Sequence, residues 1–156
     1  MAGKEARITW KRAKNIIGSR RHTLYGSKGI SILDIDQGFI GNCWYLSAAA
    51  ALAEEPERIE RLFLNNVNEV SPNGIYGVNF YVLGVPHTVI VDDYLPLQSS
   101  DYGYTTLFAN IGNDDSVWAA IIEKAFAKLT GNYEHIVAGT NLDSIDFLSG
   151  APSDNF

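Results

Sequence analysis

The segment DIDQGFIGNCWYLSAAAALA, residues 34–53, decides the fold, because it predicts a glycine-containing loop followed at once by a helix. Alanine and leucine are strong helix formers, so the helix is expected over residues 43–53. The only cysteine of the chain, Cys43, then stands at the N-terminus of that helix. The free backbone N–H groups and the helix dipole there favour the thiolate, which is the reactive form of cysteine.

The loop before Cys43 contains residue types that a nucleophilic cysteine would use. Gln37 lies upstream, where its side-chain amide could donate to an oxyanion that develops beside the sulfur. Gly38 and Gly41 allow the close backbone approach that a substrate chain would need. The alternative is that Cys43 is a small buried residue without chemistry, since a lone cysteine usually behaves as a buried apolar side chain.

Histidine, the usual partner of a catalytic thiolate, has no recognisable motif in this chain. A thiolate mechanism needs a histidine to pair with the sulfur and a third group to orient that histidine. The three histidines are His22, His87 and His135, and each is interpreted as a surface or structural residue. The residues alone therefore leave both interpretations of Cys43 open.

Length and composition predict one domain with an apolar core. The chain has 156 residues, of which 46% are hydrophobic and 19% are charged. The chain contains no run of about 18 apolar residues, so no membrane span is predicted. The N-terminus lacks the apolar region of a secretory signal. A single cysteine excludes an internal disulfide and argues against a cysteine-based zinc site. These features suit a reducing, intracellular compartment, which we expect to be the cytoplasm.

The net charge of −6 is distributed unevenly. The first 28 residues carry eight Lys or Arg and one Glu, whereas the rest carry four Lys or Arg and 17 Asp or Glu. A basic arm could contact nucleic acid or anionic lipid. Its charges are scattered among apolar residues such as Trp10 and Leu24, so we expect it to pack against the acidic body or another part of a longer protein. The acidic body argues against nucleic acid as a partner.

The remaining pattern predicts an α+β fold, with helices packed around the cysteine-bearing helix and a small antiparallel β-sheet. A second helix is expected over residues 56–64 because Pro56 suits a first turn. The apolar spacing of residues 116–129 predicts an amphipathic helix whose stripe packs on the cysteine-bearing helix. Residues 75–83 and 87–95 read as a hairpin. The segments expected to be irregular are the arm at 1–36, the loop at 96–114 and the tail at 135–156.

Carboxylates are plentiful, but they follow no compact metal motif. They do not match the spacing of an EF-hand loop, and a charged solvated surface is the default interpretation. A calcium site that is assembled from distant carboxylates and backbone carbonyls would leave no compact motif either. The carboxylates considered are Asp34, Asp36, Asp92, Asp93, Glu134, Asp143 and Asp146.

Three segments together resemble the calpain family. Residues 34–53 are similar to its D-I-x-Q-G-x-L-G-D-C-W-x-L-x-A segment. VDDYLP at 91–96 resembles V-D-D-x-L-P, and VWAAIIEKAFAKLTGNYEHI at 117–136 resembles W-x-A-L-L-E-K-A-Y-A-K-L-x-G-x-Y-E-A. Order and separations match as well, and the resemblance covers about residues 10 to 156.

The resemblance implies the first half of a papain-like, calcium-dependent, intracellular cysteine endopeptidase core. In the family the catalytic histidine, in G-H-A-Y, and the asparagine, in N-P-W-G, belong to a second subdomain, and neither motif occurs in this chain. The implied division is a basic arm at 1–30, partly packed on the core, the cysteine-bearing subdomain at 31–150 and the start of a linker at 151–156. The chain alone is then expected to be inactive and monomeric, with the second subdomain and protein or peptide substrates as partners.

The resemblance also implies roles for individual residues. Cys43 matches the nucleophile, and Gln37 together with the Cys43 N–H matches the oxyanion donors. Gly41 and Trp44 are expected to contact substrate. Calcium, the implied cofactor, would be held by the residues that match the family's ligands, which are Ser27, Gly29, Asp34 and Glu134.

Two residues depart from the family pattern. Asn42 stands where the family usually has Asp, which removes a charge next to the thiol. Ile32 stands where conventional members have an arginine that pairs across the two subdomains when calcium binds. Two other functions therefore stay open: a non-catalytic calpain-like scaffold and a calcium-binding interaction module.

Overall fold

The computed structural model describes residues 8–18, 23–39, 41–64, 68–100 and 103–152. The helices are α1 Ala13–Ile17, α2 Cys43–Ala53, α3 Pro56–Glu60, α4 Trp118–Thr130 and α5 Asn141–Ser149. The strands are β1 Ile8–Arg12, β2 Ile75–Val82, β3 Val85–Asp92, β4 Tyr94–Ser100 and β5 Gly103–Thr106. Short 3-10 turns lie at Ile32–Asp34 and Tyr133–Ile136.

The α+β fold class is confirmed, although the described strands form two small sheets rather than one. β2 and β3 form the predicted antiparallel hairpin. A second, three-stranded antiparallel sheet has the order β1-β4-β5. Because β1 pairs with β4, residues 8–12 are held next to residues 94–98.

Helix α4 forms the centre of the apolar core. Its predicted apolar stripe is buried, and Trp118, Ile121, Ile122 and Phe126 are each at most 1% exposed. The expected packing on the cysteine-bearing helix is confirmed, since the hydroxyl of Tyr45 donates to the carbonyl of Ile122 over 3.1 Å. Helix α2 is therefore held against α4 along the side away from solvent.

Several expectations about irregular segments are wrong. The tail contains α5, which is capped by Thr140 and Asp143 and ends at Gly150 in the left-handed conformation. Residues 96–114 contain most of β4 and all of β5, because these polar strands are held by pairing with β1 and with each other. The arm at 1–36 contains β1 and α1, and the helix predicted at 56–64 ends at Glu60.

The described part of the basic arm is fixed by an ion pair. The guanidinium of Arg12 donates through Nε and Nη2 to the carboxylate of Asp93, which is fully buried. The N–H of Ala13 donates to the carbonyl of Asp93 over 2.9 Å. The junction of β1 and α1 is thus tied to the turn between β3 and β4.

Among the described residues, none of the helices has both the length and the apolarity needed to cross a bilayer.

Candidate active site

Cys43 is the first residue of α2, and its side chain is exposed. The alternative of a buried, inert cysteine therefore does not describe this position. The backbone carbonyl of Asn42 accepts from the N–H groups of Tyr45 and Leu46, over 3.0 and 3.1 Å, which starts the helix one residue before the thiol. The thiol is thus accessible to solvent at the N-terminal end of α2.

Gln37 is exposed in the segment 36–39, which is attached to the loop 107–110 on both sides of it. The N–H of Phe39 donates to the carbonyl of Leu107 over 3.1 Å. On the other side, the N–H of Asn110 donates to the carbonyl of Asp36 over 2.9 Å, and its side-chain amide donates to the Asp36 carboxylate over 2.9 Å. The backbone that carries the proposed oxyanion donor is therefore fixed by its neighbours.

The two loop glycines have different roles. A Cβ at Gly38 would collide with the backbone carbonyl of Phe108, so the close approach of the loop 107–110 requires a glycine here. A Cβ at Gly41 would meet only the carbonyl of Val137, at an ordinary 3.5 Å. The expected approach of a substrate at either glycine stays a prediction.

Trp44 connects the cysteine-bearing helix to the segment that follows α4. Its indole N–H donates to the carbonyl of Ile136 over 2.9 Å, and its ring packs edge-on against Phe126. Gly139 lies so close that a Cβ there would stand 2.6 Å from the indole ring. The ring is half-buried and has a structural role; the substrate contact expected for it stays a prediction.

Glu123, which the sequence analysis did not single out, is buried in α4 and contacts the residue that precedes the cysteine. The side-chain amide of Asn42 donates to its Oε1, and the N–H of Ala109 donates to its Oε2 over 2.8 Å. Burial raises the pKa of Glu123 to about 7, although both hydrogen bonds favour the ionised form. The signal that could have found it is a single acid placed within the apolar run VWAAIIEKAFA.

The predicted calcium ligands are only partly brought together. Ser27 and Asp34 line one cleft, which they share with Asp114. Asp34 is buried, and its Oδ2 accepts from the N–H of Ser31 over 2.8 Å and from the indole N–H of Trp118 over 3.0 Å. Burial raises the pKa of Asp34, and the nearby charge of Asp114 raises it further.

The other two predicted ligands do not complete this cleft. Gly29, at a φ of +81°, follows Ser27 in the same loop. Glu134 is exposed in the 3-10 turn after α4 and is not among the residues that line the cleft. In the described ranges no three or more His, Cys, Asp or Glu side chains are close enough to hold a metal ion. The predicted set has only two carboxylates besides the Ser27 and Gly29 carbonyls, so it stays a prediction.

The described histidines make their contacts elsewhere. His87 is exposed on β3 opposite Phe80 of β2. His135 is exposed, and its Nδ1 lies 2.7 Å from the carbonyl of Thr130. His22 lies outside the described residues. The interpretation of His87 and His135 as surface residues agrees with these positions.

Comparison with known proteins gives one consistent family. The family model described as calpain family cysteine protease matches residues 2–156. The chain is 36% identical over 138 residues to the calpain-type cysteine protease ADL1 of Oryza sativa subsp. japonica. The matched region covers 88% of this chain and 6% of that protein. It is 31% identical over 144 residues to the calpain-2 catalytic subunit of Homo sapiens, covering 92% of this chain and 20% of that protein.

Calpain-13 of Rattus norvegicus is 29% identical over 144 residues, which cover 92% of this chain and 21% of that protein. The chain thus spans about a fifth or less of the length of these relatives. The three motif segments and the exposed cysteine at a helix N-terminus agree with the family match. The chain belongs to the calpain family of cysteine proteases.

Proposed function

We propose that this chain is the cysteine-bearing half of the catalytic core of a calpain-type endopeptidase, with Cys43 as the nucleophile. The observation that carries the proposal is the exposed thiol at the first residue of α2, next to a segment that presents Gln37. The hydrogen bonds from the loop 107–110 hold that segment in place. The family match supports the same reaction class.

The proposed reaction follows from these groups. The Cys43 thiolate attacks the carbonyl carbon of a peptide bond and forms a tetrahedral intermediate. Its oxyanion accepts hydrogen bonds from the side-chain amide of Gln37 and from the backbone N–H of Cys43. The C–N bond then breaks, a protonated histidine gives its proton to the leaving amine, and water hydrolyses the remaining thioester.

The histidine is proposed to come from a second core subdomain of a longer parent chain. Two observations support this: the sequence has neither G-H-A-Y nor N-P-W-G, and the relatives are about five or more times as long as the matched region. The chain alone should therefore be monomeric and have no peptidase activity. Its substrates in the parent protein would be proteins or peptides.

Two measurements test this proposal. The 156-residue chain should cleave no fluorogenic peptide, with or without calcium, while iodoacetamide alkylates Cys43 and leaves Cys43→Ser unmodified. Robust cleavage that is lost in Cys43→Ser would refute the need for a second subdomain. A parent-length protein that cleaves neither casein nor a fluorogenic peptide, with or without calcium, would instead support the scaffold alternative.

Calcium dependence is part of the proposal, and it rests on membership of the family. The cleft shared by Asp34 and Asp114 offers two carboxylates, whose mutual repulsion a divalent cation would relieve. Titration with calcium, followed through backbone amide shifts, should move signals near Asp34 in the wild type and not in Asp34→Asn. No change near Asp34 or Glu134 up to millimolar calcium would remove this part of the proposal and the interaction-module alternative with it.

The location of the parent protein is proposed to be the cytoplasm. A free thiol that acts as a nucleophile has to stay reduced, and an intracellular compartment keeps it so. Fractionation of cells that express the parent chain, with a fluorescent tag, would test this, and recovery in the secreted fraction would contradict it.

A further inference from the structure

Glu123 lies in the middle of α4 with its side chain enclosed by the core. The residue is only 1% exposed, yet each of its two carboxylate oxygens accepts a hydrogen bond from a different loop. A buried ionisable group is costly unless its hydrogen bonds are satisfied, and an apolar residue would fill this position more cheaply. Its contacts therefore indicate what it does for the rest of the molecule.

The first contact reaches the start of the cysteine-bearing helix. Asn42, which is 1% exposed, donates from its side-chain amide to Glu123 Oε1. The carbonyl of the same Asn42 begins the hydrogen bonding of α2. Glu123 thus fixes the residue that both precedes Cys43 and starts its helix.

The second contact reaches the loop that holds Gln37. Glu123 Oε2 accepts from the N–H of Ala109, in the middle of the loop 107–110. That loop binds the backbone of Asp36 on one side of Gln37 and of Phe39 on the other. The Glu123 carboxylate is therefore connected to Cys43 through Asn42. It is connected to Gln37 through the loop 107–110.

We propose that Glu123 is a positioning residue of the active site. It fixes the position of Cys43 relative to Gln37, and that relative position changes when Glu123 takes up a proton. The inference rests on the proposed function, because it assigns meaning to the relative placement of these two residues. Glu123 acts through Asn42 and Ala109 rather than on the substrate.

The effect of the proton follows from the two donors. An ionised Glu123 accepts from both, but a protonated Glu123 has to donate one O–H. The backbone N–H of Ala109 cannot accept it, so the proton has to face Asn42. The side-chain amide of Asn42 then has to turn over and present its oxygen, since an amide has a donor end and an acceptor end.

The groups around Glu123 stay uncharged near pH 7, so the reversal of its hydrogen bond with Asn42 is the main expected response to pH. Its two hydrogen-bonding partners are uncharged amides. Within the part of the chain that the structure describes, the titratable side chains that interact with its charge are Tyr45 of α2 and Tyr133 of the following 3-10 turn. Burial raises the pKa of both tyrosines, so both stay neutral around pH 7.

Nuclear magnetic resonance of the 156-residue chain tests the proposal without any variant. Between about pH 5 and pH 9 the side-chain amide signals of Asn42 and the backbone amide signal of Ala109 should shift together. The shared midpoint should lie near the pKa of Glu123, about 7. Independent midpoints, or signals that stay constant over this range, would overturn the proposal.

A matched pair of variants assigns the transition to its group. Glu123→Gln, which cannot ionise, should lose the shared transition, whereas Glu54→Gln, at the exposed end of α2, should keep it. The pH profile of Cys43 alkylation by iodoacetamide should show an inflection at the same midpoint in the wild type and lack it in Glu123→Gln. An unchanged profile in a folded Glu123→Gln chain would show a merely structural role. Neither the amide titration nor the alkylation profile needs peptide cleavage. Both can therefore still be interpreted if the peptidase proposal fails.

Discussion

Tyr45 and Phe126 stack face to face, with ring centroids 4.3 Å apart and ring planes 8° from parallel. The contact joins the cysteine-bearing helix to the central helix α4, two residues beyond the thiol. The position of Cys43 therefore depends on a core contact as well as on its own loop.

Phe126→Ala should destabilise the fold by about 3–5 kcal/mol, because it removes a large side chain that is 1% exposed and leaves a cavity. Tyr45→Phe keeps the stack and loses only the hydrogen bond to Ile122, so it should cost about 1 kcal/mol. Urea denaturation of both variants measures the difference. Equal losses would show that the stack carries little of the stability.

Glu123 should make the fold less stable as pH rises towards neutrality. Burial raises its pKa from 4.5 to about 7, so between these values the folded chain binds more protons than the unfolded chain. Its contribution is fully present below the lower value and is lost as pH rises through the upper one. The free energy of unfolding lost in this way is about 3 kcal/mol. Urea denaturation across this range should show the loss in the wild type and a flatter profile in Glu123→Gln.

Asn42→Asp should enlarge that dependence, because it places a second carboxylate against Glu123. Two carboxylates in one buried site cannot both ionise easily, so the pair should hold a proton to higher pH than Glu123 alone. The variant should therefore lose more stability than the wild type when the pH is raised from about 6 to about 8. Denaturation midpoints at the two values test this, and a pH dependence equal to that of the wild type would contradict it.

Gly38→Ala should disturb the cysteine loop, whereas Gly41→Ala should not. An added Cβ at Gly38 meets the backbone carbonyl of Phe108, which cannot move without shifting the loop 107–110. At Gly41 the same atom has ordinary van der Waals contact. Amide shifts of residues 36–39 and 107–110 should change widely in the first variant and only locally in the second. Similar spectra for the two would show that the close approach at Gly38 has no structural consequence.

Arg12→Met should lower the thermal midpoint, because it leaves the buried carboxylate of Asp93 without its charge partner. Arg58→Met, at an exposed position of α3, serves as the control and should change the midpoint little. Asp93→Asn in the Arg12→Met background should restore part of the loss by removing the unpaired charge. If the two single arginine variants have equal midpoints, the ion pair does not fix β1.

The sequence allowed helix α2 to be predicted over the residues where it occurs, because alanine and leucine propensity agrees with its buried position. β4 and β5 could not be predicted because LPLQSS and GYTT have no strong alternation. They are stabilised by pairing, β4 with β1 and β5 with β4. Helix α5 has a weak apolar pattern, and its strongest signal is the Thr140–Asp143 cap.

The site shows the same division. Cys43 and Gln37 lie in one continuous motif, so they could be proposed from the sequence. The contacts of Glu123 could not be predicted, because its partners Asn42 and Ala109 are 81 and 14 residues away along the chain. Only the fold brings a residue of α4 to both loops at once.

The pairing of β1 with β4 has a consequence for the order of folding. Ile8 pairs with Gln98, so β1 cannot pair until β4, which is synthesised much later, is available. Contacts of such long sequence separation form slowly, because the chain between them has to be closed into a loop first. The hairpin of β2 and β3 is local and can form before that closure. We therefore expect β1 to dock after the hairpin has formed, and to stay accessible on the nascent chain until β4 has been synthesised.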